Sequence, residues 1–319
     1  MSETMTPNLD TKFMVDPYLN WVKAEGALIH EGAALDLLAL DLRDWPRFGM
    51  KGAVCHVDGR CDYLTAFLFE LGANQASAAS RHIHEDVIYI LSGTGTTEIT
   101  LSDGHQLSIE WTEKSLLAVP INATARHKAG ASGARFVALS DFRYLMGLYR
   151  NEAFLFGNDA PLHGRQKRAL DAGLLAKPLT QAIGNNDMTP LELADLSVGV
   201  DLTALEPKSA TLARRQMQGR HVLGVDGAGF TLSFSHGTSD IRRVHWHHGI
   251  LVGLKGMQFH QHFNAGDRPA RFISVELGSQ SSPMFRSRRA IYGDDSVYAS
   301  GAAIIPREAE RPEVKSALS

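Results

Sequence analysis

Short apolar runs separated by polar turns, without helical periodicity, set the pattern of the chain from about Gly52 onward. Tyr63–Leu71 is apolar and rich in aromatics, and Val87–Leu91 is a second such run. Thr96–Leu101 alternates polar and apolar positions, as a strand with one face in a core does. Ser102-Asp-Gly-His105 then supplies a turn before Gln106–Glu110. Ser115–Val119 ends at Pro120, and Arg135–Leu139 closes the series. Strand-like runs about ten residues apart, with no helical pattern between them, predict an all-β sandwich or barrel.

The pattern changes along the chain. Residues 1–50 read as a helical or irregular arm, with Asp16-Pro-Tyr-Leu-Asn-Trp-Val-Lys23 as its opening turn. Residues 51–141 are the first strand-rich block. Residues 142–195 form a partly helical linker that carries Pro161, Pro178 and Pro190. A second strand-rich block spans 196–280, and a polar tail rich in Arg, Ser and Glu spans 281–319. The two blocks repeat one another. Asp86-Val with Gly93-Thr-Gly95 matches His221-Val with Gly227-Ala-Gly229, His127 is paired with His260, and Phe136-Val-Ala-Leu-Ser matches Phe272-Ile-Ser-Val-Glu. The matched positions lie 133 to 136 residues apart, which predicts two copies of one β-domain.

Composition narrows the classes. The 319 residues are 44% hydrophobic and 21% charged, as in a globular protein, and suffice for two modest domains. Lys and Arg total 32 against 35 Asp and Glu, a net charge of −3, so no nucleic-acid partner held by bulk positive charge is expected. No apolar run reaches the roughly 18 residues a membrane span needs, and no membrane partner is expected. The polar start, Met1–Lys12, lacks the pattern of a leader, and Cys55 and Cys61 cannot form a disulfide framework. The expectation is a cytoplasmic protein. What exceeds the ordinary is 14 histidines, several of them clustered.

The first cluster is Arg81-His-Ile-His-Glu-Asp86. In a strand, alternate side chains share a face, so His82, His84 and Asp86 would project together. Gly93 follows, then Pro120 and His127 some 40 residues on. Here the sequence resembles the cupin superfamily, whose first motif carries two histidines, a carboxylate and a glycine and whose second adds a histidine after a proline. The resemblance covers roughly 60–140 and again 196–277, and so implies a bicupin: two jelly-roll β-barrels in one chain. The family's carboxylate position falls on Asp86, where the family usually has Glu, and its second histidine on His82. The first histidine position falls on Ser80, and His84, on the same face, can substitute. His127 takes the histidine of the second motif, while Ala131 stands where the family has asparagine. His82, His84, Asp86 and His127 are thus the expected metal ligands. Such an N/O set suits a first-row divalent metal, Fe(II) first, with Mn(II), Ni(II), Zn(II) and Cu(II) as alternatives.

In the second repeat His221 occupies the carboxylate position, and the two preceding histidine positions fall near Ala213 and Arg215. Gly249, Lys255 in place of the usual proline, His260 and Asn264 keep the spacing of the second motif. His221, His260 and His262 are read as substrate-binding residues; an all-histidine metal site and a polar, metal-free pocket or subunit contact both stay open. His245-Trp-His247-His248, the pair Cys55-His56 and the basic run Arg286-Ser-Arg-Arg289 are weaker features, read as surface or structural. Resemblance to gentisate-type bicupins implies a non-haem dioxygenase acting on a small aromatic or acidic molecule. Resemblance to bicupins catalogued as ethanolamine ammonia-lyase activators implies instead a non-catalytic binding or accessory role. A subunit of a hetero-oligomeric dioxygenase is a third reading, and a homo-oligomer, a dimer first, is expected because such barrels expose sheet faces and edges.

Overall fold

The computed structural model describes residues 16–57, 63–157, 164–179, 188–194, 196–215, 219–235 and 240–277. Cys61, the run Arg286–Arg289 and the tail 281–319 lie outside the described residues. Strands predominate, and they form two jelly-roll barrels in sequence, the arrangement of a bicupin. The first barrel is built on two long strands, Asp86–Thr100 and Thr124–Ser140, which pair antiparallel along nearly their whole length. Their register shifts between Ala129 and Ala134 and again at Arg135/Phe136. These shifts let each strand bend from one face of the barrel to the other. The second barrel keeps two faces as separate sheets. Val198–Leu205, Ala270–Leu277, Arg220–Asp226 and Ile250–Leu254 lie in one; Phe259–Asn264, Ala228–Phe234 and Ile241–His247 lie in the other.

Equivalent backbone constraints recur in both barrels. Gly93 has φ +87°, and a Cβ there would lie 2.1 Å from the Gly133 carbonyl oxygen. Gly227 has φ +65°, and its Cβ would lie 2.5 Å from the Pro269 carbonyl oxygen. Both positions demand a residue without a side chain. Two residues on, a Cβ on Gly95 would strike Trp111, and one on Gly229 would strike Trp246, at 2.3 and 2.4 Å. Each indole is thereby pressed against a strand backbone inside its barrel.

The stretch 28–45 is more than an irregular arm. Leu28–Gly32 pairs in parallel with Met50–Val57, Arg43–Trp45 pairs with the same strand, and Ala34–Asp36 pairs with Ile250–Leu254 of the second barrel. These short strands have little pattern of their own and take their structure from the edges they cover. The segment therefore ties one barrel to the other. Glu85 adds a second tie: its buried carboxylate accepts from the backbone N–H of Ser197 and Val198 and from the Ser197 hydroxyl. A third is the ring of His248, with Nε2 2.9 Å from the Leu91 carbonyl and Nδ1 3.1 Å from the Val225 carbonyl.

One end of the first barrel is closed by an aromatic plug. Asp16 caps the helix Pro17–Ala24, accepting from the N–H of Tyr18 and Leu19 at 3.0 and 3.2 Å. That helix delivers Trp21, which packs on Phe142 at 4.6 Å and on Phe156 at 5.9 Å between ring centroids. Phe142 and Phe156 come from the linker helices Phe142–Tyr149 and Glu152–Phe156. The linker is thus partly helical, and its first helices pack against the barrel that precedes them.

Gly93→Ala should cost about 2 kcal/mol or more of stability, because it adds a carbonyl clash to the strain of a left-handed backbone. Gly104, with φ +86° and open space around its Cα, is the control: Gly104→Ala should cost no more than about 1 kcal/mol. Urea unfolding of the two variants measures the difference.

Candidate metal centre

His82, His84 and Asp86 meet, though not by strand alternation. The strand Ser80–Arg81 ends before them, the strand Asp86–Thr100 begins at Asp86, and His82–Glu85 form a bend between the two. Distant elements hold that bend in place. Asn122 N–H donates to the His82 carbonyl at 2.7 Å, Ile83 N–H to the Leu155 carbonyl at 2.9 Å, and Glu85 N–H to Asp141 Oδ1 at 2.8 Å. His82 Nδ1–H donates to the His84 carbonyl at 2.9 Å, which leaves Nε2 with its lone pair exposed. The two imidazoles stack 3.6 Å apart, and Phe142 and Phe156 of the plug lie edge-on to the His84 ring.

Both ring Nε2 atoms face the carboxylate, His82 at 3.4 Å from Asp86 Oδ2 and His84 at 3.7 Å from Oδ1. One donor atom from each of the three residues falls within 4.8 Å of the others. All three are buried, and Asp86 Oδ1 and His84 Nδ1 have no hydrogen-bond partner. Burial pushes the Asp86 carboxyl above its usual range, against the pull of His82 and the Ser140 hydroxyl. It pushes His84 well below the usual imidazole range, and the neighbouring His82 adds to this. A carboxylate oxygen without a donor in a dry site is costly, and a cation between these atoms removes that cost. The donor set, two imidazoles and one carboxylate, fits a first-row divalent ion.

His127 comes from the strand Thr124–Ser140 and stands on the wall of the same cavity, outside the 4.8 Å group. Its Nδ1 is 2.8 Å from the Thr97 hydroxyl, which accepts the Trp111 indole N–H at 2.9 Å. The relay directs Nε2 of His127 away from the strand that carries Thr97. Burial, and then His82, lowers its pKa to about 4, so it is neutral at physiological pH. The cavity measures about 30 Å³, room for about two water-sized groups. Phe48, Phe67, Phe69 and Phe136 form the aromatic part of its apolar wall, and its only titratable lining groups are His82, His84, Asp86 and His127.

The second barrel repeats the relay. Trp246 Nε1–H donates to Thr231 Oγ1 at 3.2 Å, and that hydroxyl is 2.8 Å from Nδ1 of His262. Ser77 accepts from His127 N–H in the first barrel, and Thr211 accepts from His262 N–H in the second. The counterpart of His127 is therefore His262, and the sequence pairing with His260 is corrected. A two-residue slip keeps the same face of a strand, so the alternation in Phe-His-Gln-His could not reveal it. Phe136–Ser140 matches Phe272–Glu276, and Asp86 lies opposite Ser140 as Arg220 lies opposite Glu276, so Arg220 takes the place of Asp86. The sequence pairing of Asp86 with His221 is corrected, and His221 takes the place of Val87. Among the described residues no group of three ligand atoms within 4.8 Å forms in the second barrel.

Other candidates fall away. Burial pushes the Cys55 thiol up to about 12, which leaves no thiolate for catalysis. His56 is tied to the Tyr18 hydroxyl at 2.8 Å, and His245 and His247 are exposed. What sequence reading missed is the shell of Thr97, Trp111, Phe142 and Phe156. A Trp at matching positions of both repeats was the available signal.

No family model matches the chain, and no curated protein matches it. Solved structures do. A point mutant of Bacillus subtilis oxalate decarboxylase matches with a TM-score of 0.56 at 12% identity over 85% of this chain and 86% of that one. A second point mutant of that enzyme gives 0.57 at 11% over 91% and 87%, and the enzyme at pH 4.6 gives 0.55 at 13% over 85% of each. Another of these structures is described through its Mn(II) centres. At this identity the likeness establishes the bicupin fold.

Burial followed by the nearby Arg220 holds His260 down to about 3, against 6.5 in an unfolded chain. The unfolded state therefore binds the proton first as pH falls, and the stability present above 6.5 is lost between about 6.5 and 3. His260→Gln should make stability less steep in pH across that window by up to about 1.4 kcal/mol per unit. Chemical denaturation of chelator-treated protein between pH 4 and 7, with the variant alongside, measures this.

Proposed function

We propose that the chain is a metal-dependent bicupin enzyme whose first barrel holds one first-row divalent ion on His82, His84 and Asp86. His127 completes the set through Nε2. The observation that carries the reading is the buried Asp86 oxygen without a donor, set among imidazoles that burial keeps neutral. Two imidazoles and a carboxylate favour Fe(II), and the Mn(II) centres of oxalate decarboxylase make Mn(II) the first alternative. When bound, such an ion would act as a Lewis acid toward substrate oxygens and, if redox-active, would supply electrons to dioxygen.

The protein's own residues supply position and dryness. The His82–His84 carbonyl bond and the Thr97–Trp111 relay fix the rings from behind. The phenylalanine wall excludes water and takes apolar or aromatic parts of a ligand. Apart from the four ligands the wall offers no acid or base, so proton transfer to a substrate is poorly served. That favours a non-haem dioxygenase acting on a small aromatic or acidic molecule that chelates the ion through its oxygens. His260 and His262 are assigned to small-molecule binding in the second barrel, while His221, next to Arg220 on its strand, faces the other side. No nucleic acid or membrane partner is invoked; no helix of the described residues is long and apolar enough to cross a membrane.

Self-association belongs to the same proposal. Tyr63, Tyr144, Leu148, Tyr149 and Phe154 are exposed, and they gather around the linker helices, with Tyr63 6.1 Å from Tyr144 and Tyr149 4.8 Å from Phe154. Exposed aromatics in one patch mark an interaction surface, and a second copy is the occupant assigned.

Elemental analysis of untagged protein should find about one Fe or Mn per chain, lost in His82→Ala and in Asp86→Asn. Thr97→Val should weaken metal affinity about 10- to 100-fold without removing a ligand. Oxygen uptake with catechol, gentisate or hydroxynaphthoate tests the reaction; metal-loaded protein that consumes none of them overturns the dioxygenase reading. Sedimentation should give a dimer at micromolar concentration, and Leu148→Asp with Tyr149→Asp should return it to monomer.

A further inference from the structure

The positions that wall the first cavity carry a different chemistry in the second barrel. Ser80 pairs with Ala125, and both line the first cavity; in the second barrel Arg214 pairs with His260 in the same places. Arg220 stands for Asp86 and His262 for His127. A hydroxyl, a carboxylate, a methyl and an imidazole are thus replaced by two guanidiniums and two imidazoles. None of the four replacing side chains bears a negative charge.

These groups share a face. Arg214 and His260 are direct cross-strand partners, which brings their Cβ atoms to within about 5.5 Å. His260 and His262 lie two apart on one strand, and the ring of His262 faces the barrel interior, tied to Thr231. His260 is 3% exposed, yet neither of its ring nitrogens has a hydrogen-bond partner. Buried polar atoms of this kind are normally satisfied, and a missing ligand is one reason they are not.

A guanidinium beside the unpartnered imidazole decides the sign of that ligand. It repels a cation, and the imidazoles here do not converge to ligand distance as the first barrel's donors do. Arg220, which lies close enough to act on His260 and His262, brings its own counter-ion, Glu276, at 2.7 Å. We infer that the second barrel is a metal-free pocket for a small carboxylate, held by the Arg214 fork and by an N–H of His260. Two carboxylate oxygens match the planar guanidinium, and a neutral imidazole has one N–H to give. This rests on the reading of His260 and His262 as a binding site and names its ligand class.

The test uses the full chain carrying His82→Ala and Asp86→Ala, treated with chelator so that the first barrel holds no ion. Acetate, oxalate and inorganic phosphate are titrated in turn and followed by calorimetry and by melting temperature. Saturable binding of acetate or oxalate is expected, with under about 0.1 first-row metal per chain after added Mn(II) or Fe(II) is dialysed away. Arg214→Gln and His260→Gln should each weaken it about tenfold or more, with unchanged circular dichroism. If Arg214→Gln does not fold, His260→Gln decides alone. Binding of phosphate but neither carboxylate overturns the ligand class. Metal retained by this protein and lost on His260→Gln overturns the inference outright, as does the absence of binding by any probe. Metal content of the unmodified chain is a separate measurement, so failure of the first-barrel reading would show independently.

Discussion

A carboxylate enclosed with imidazoles, away from water, is the constraint around which the first barrel is organised. Asp86 could lower its energy by protonation, by a cation, or by turning to solvent, and the plug of Trp21, Phe142 and Phe156 removes the last course. The bend His82–Glu85 is irregular backbone, yet the hydrogen bonds that hold it come from Asn122, Leu155 and Asp141, far apart in sequence. The aromatic plug and these tethers together keep the site dry and its histidines oriented. Preorganisation of this kind is what a metal centre requires of its protein.

The two barrels show how one framework carries two chemistries. Tryptophan, threonine and histidine recur as a relay in both, and the glycines that admit each indole recur with them. What differs is the set of side chains beside the relay: an acid and a serine in one, two guanidiniums and a further imidazole in the other. The framework is fixed by packing, so exchange of a few inward residues can reverse the charge a barrel accepts without altering its strands.

Much of this was legible in the chain itself. Alternation and turn chemistry marked the strands, and the repeated Gly-x-Gly after a strand marked the duplication, because glycines forced by backbone clashes recur wherever the clash recurs. His82, His84 and Asp86 were legible as a cluster, although a bend and not a strand brings them together. The two-residue slip between His260 and His262 was invisible because strand periodicity is the same for both. The strands within 28–45 were hidden since a short, half-polar segment becomes a strand only by lying against an existing edge. The plug was hidden for a related reason: Trp21, Phe142 and Phe156 are ordinary in their local sequence and acquire meaning only when three separate segments converge.

The crossing of Ala34–Asp36 onto the second barrel's sheet, together with the His248 ring spanning a carbonyl from each barrel, has a consequence for how the molecule can come apart. Neither half is self-contained: cutting the chain after the linker would strand an edge in one fragment and strip a border strand from the other. The duplicated halves therefore behave as one cooperative body. Neither is a module that could be transplanted whole, because each borrows part of its border from the other.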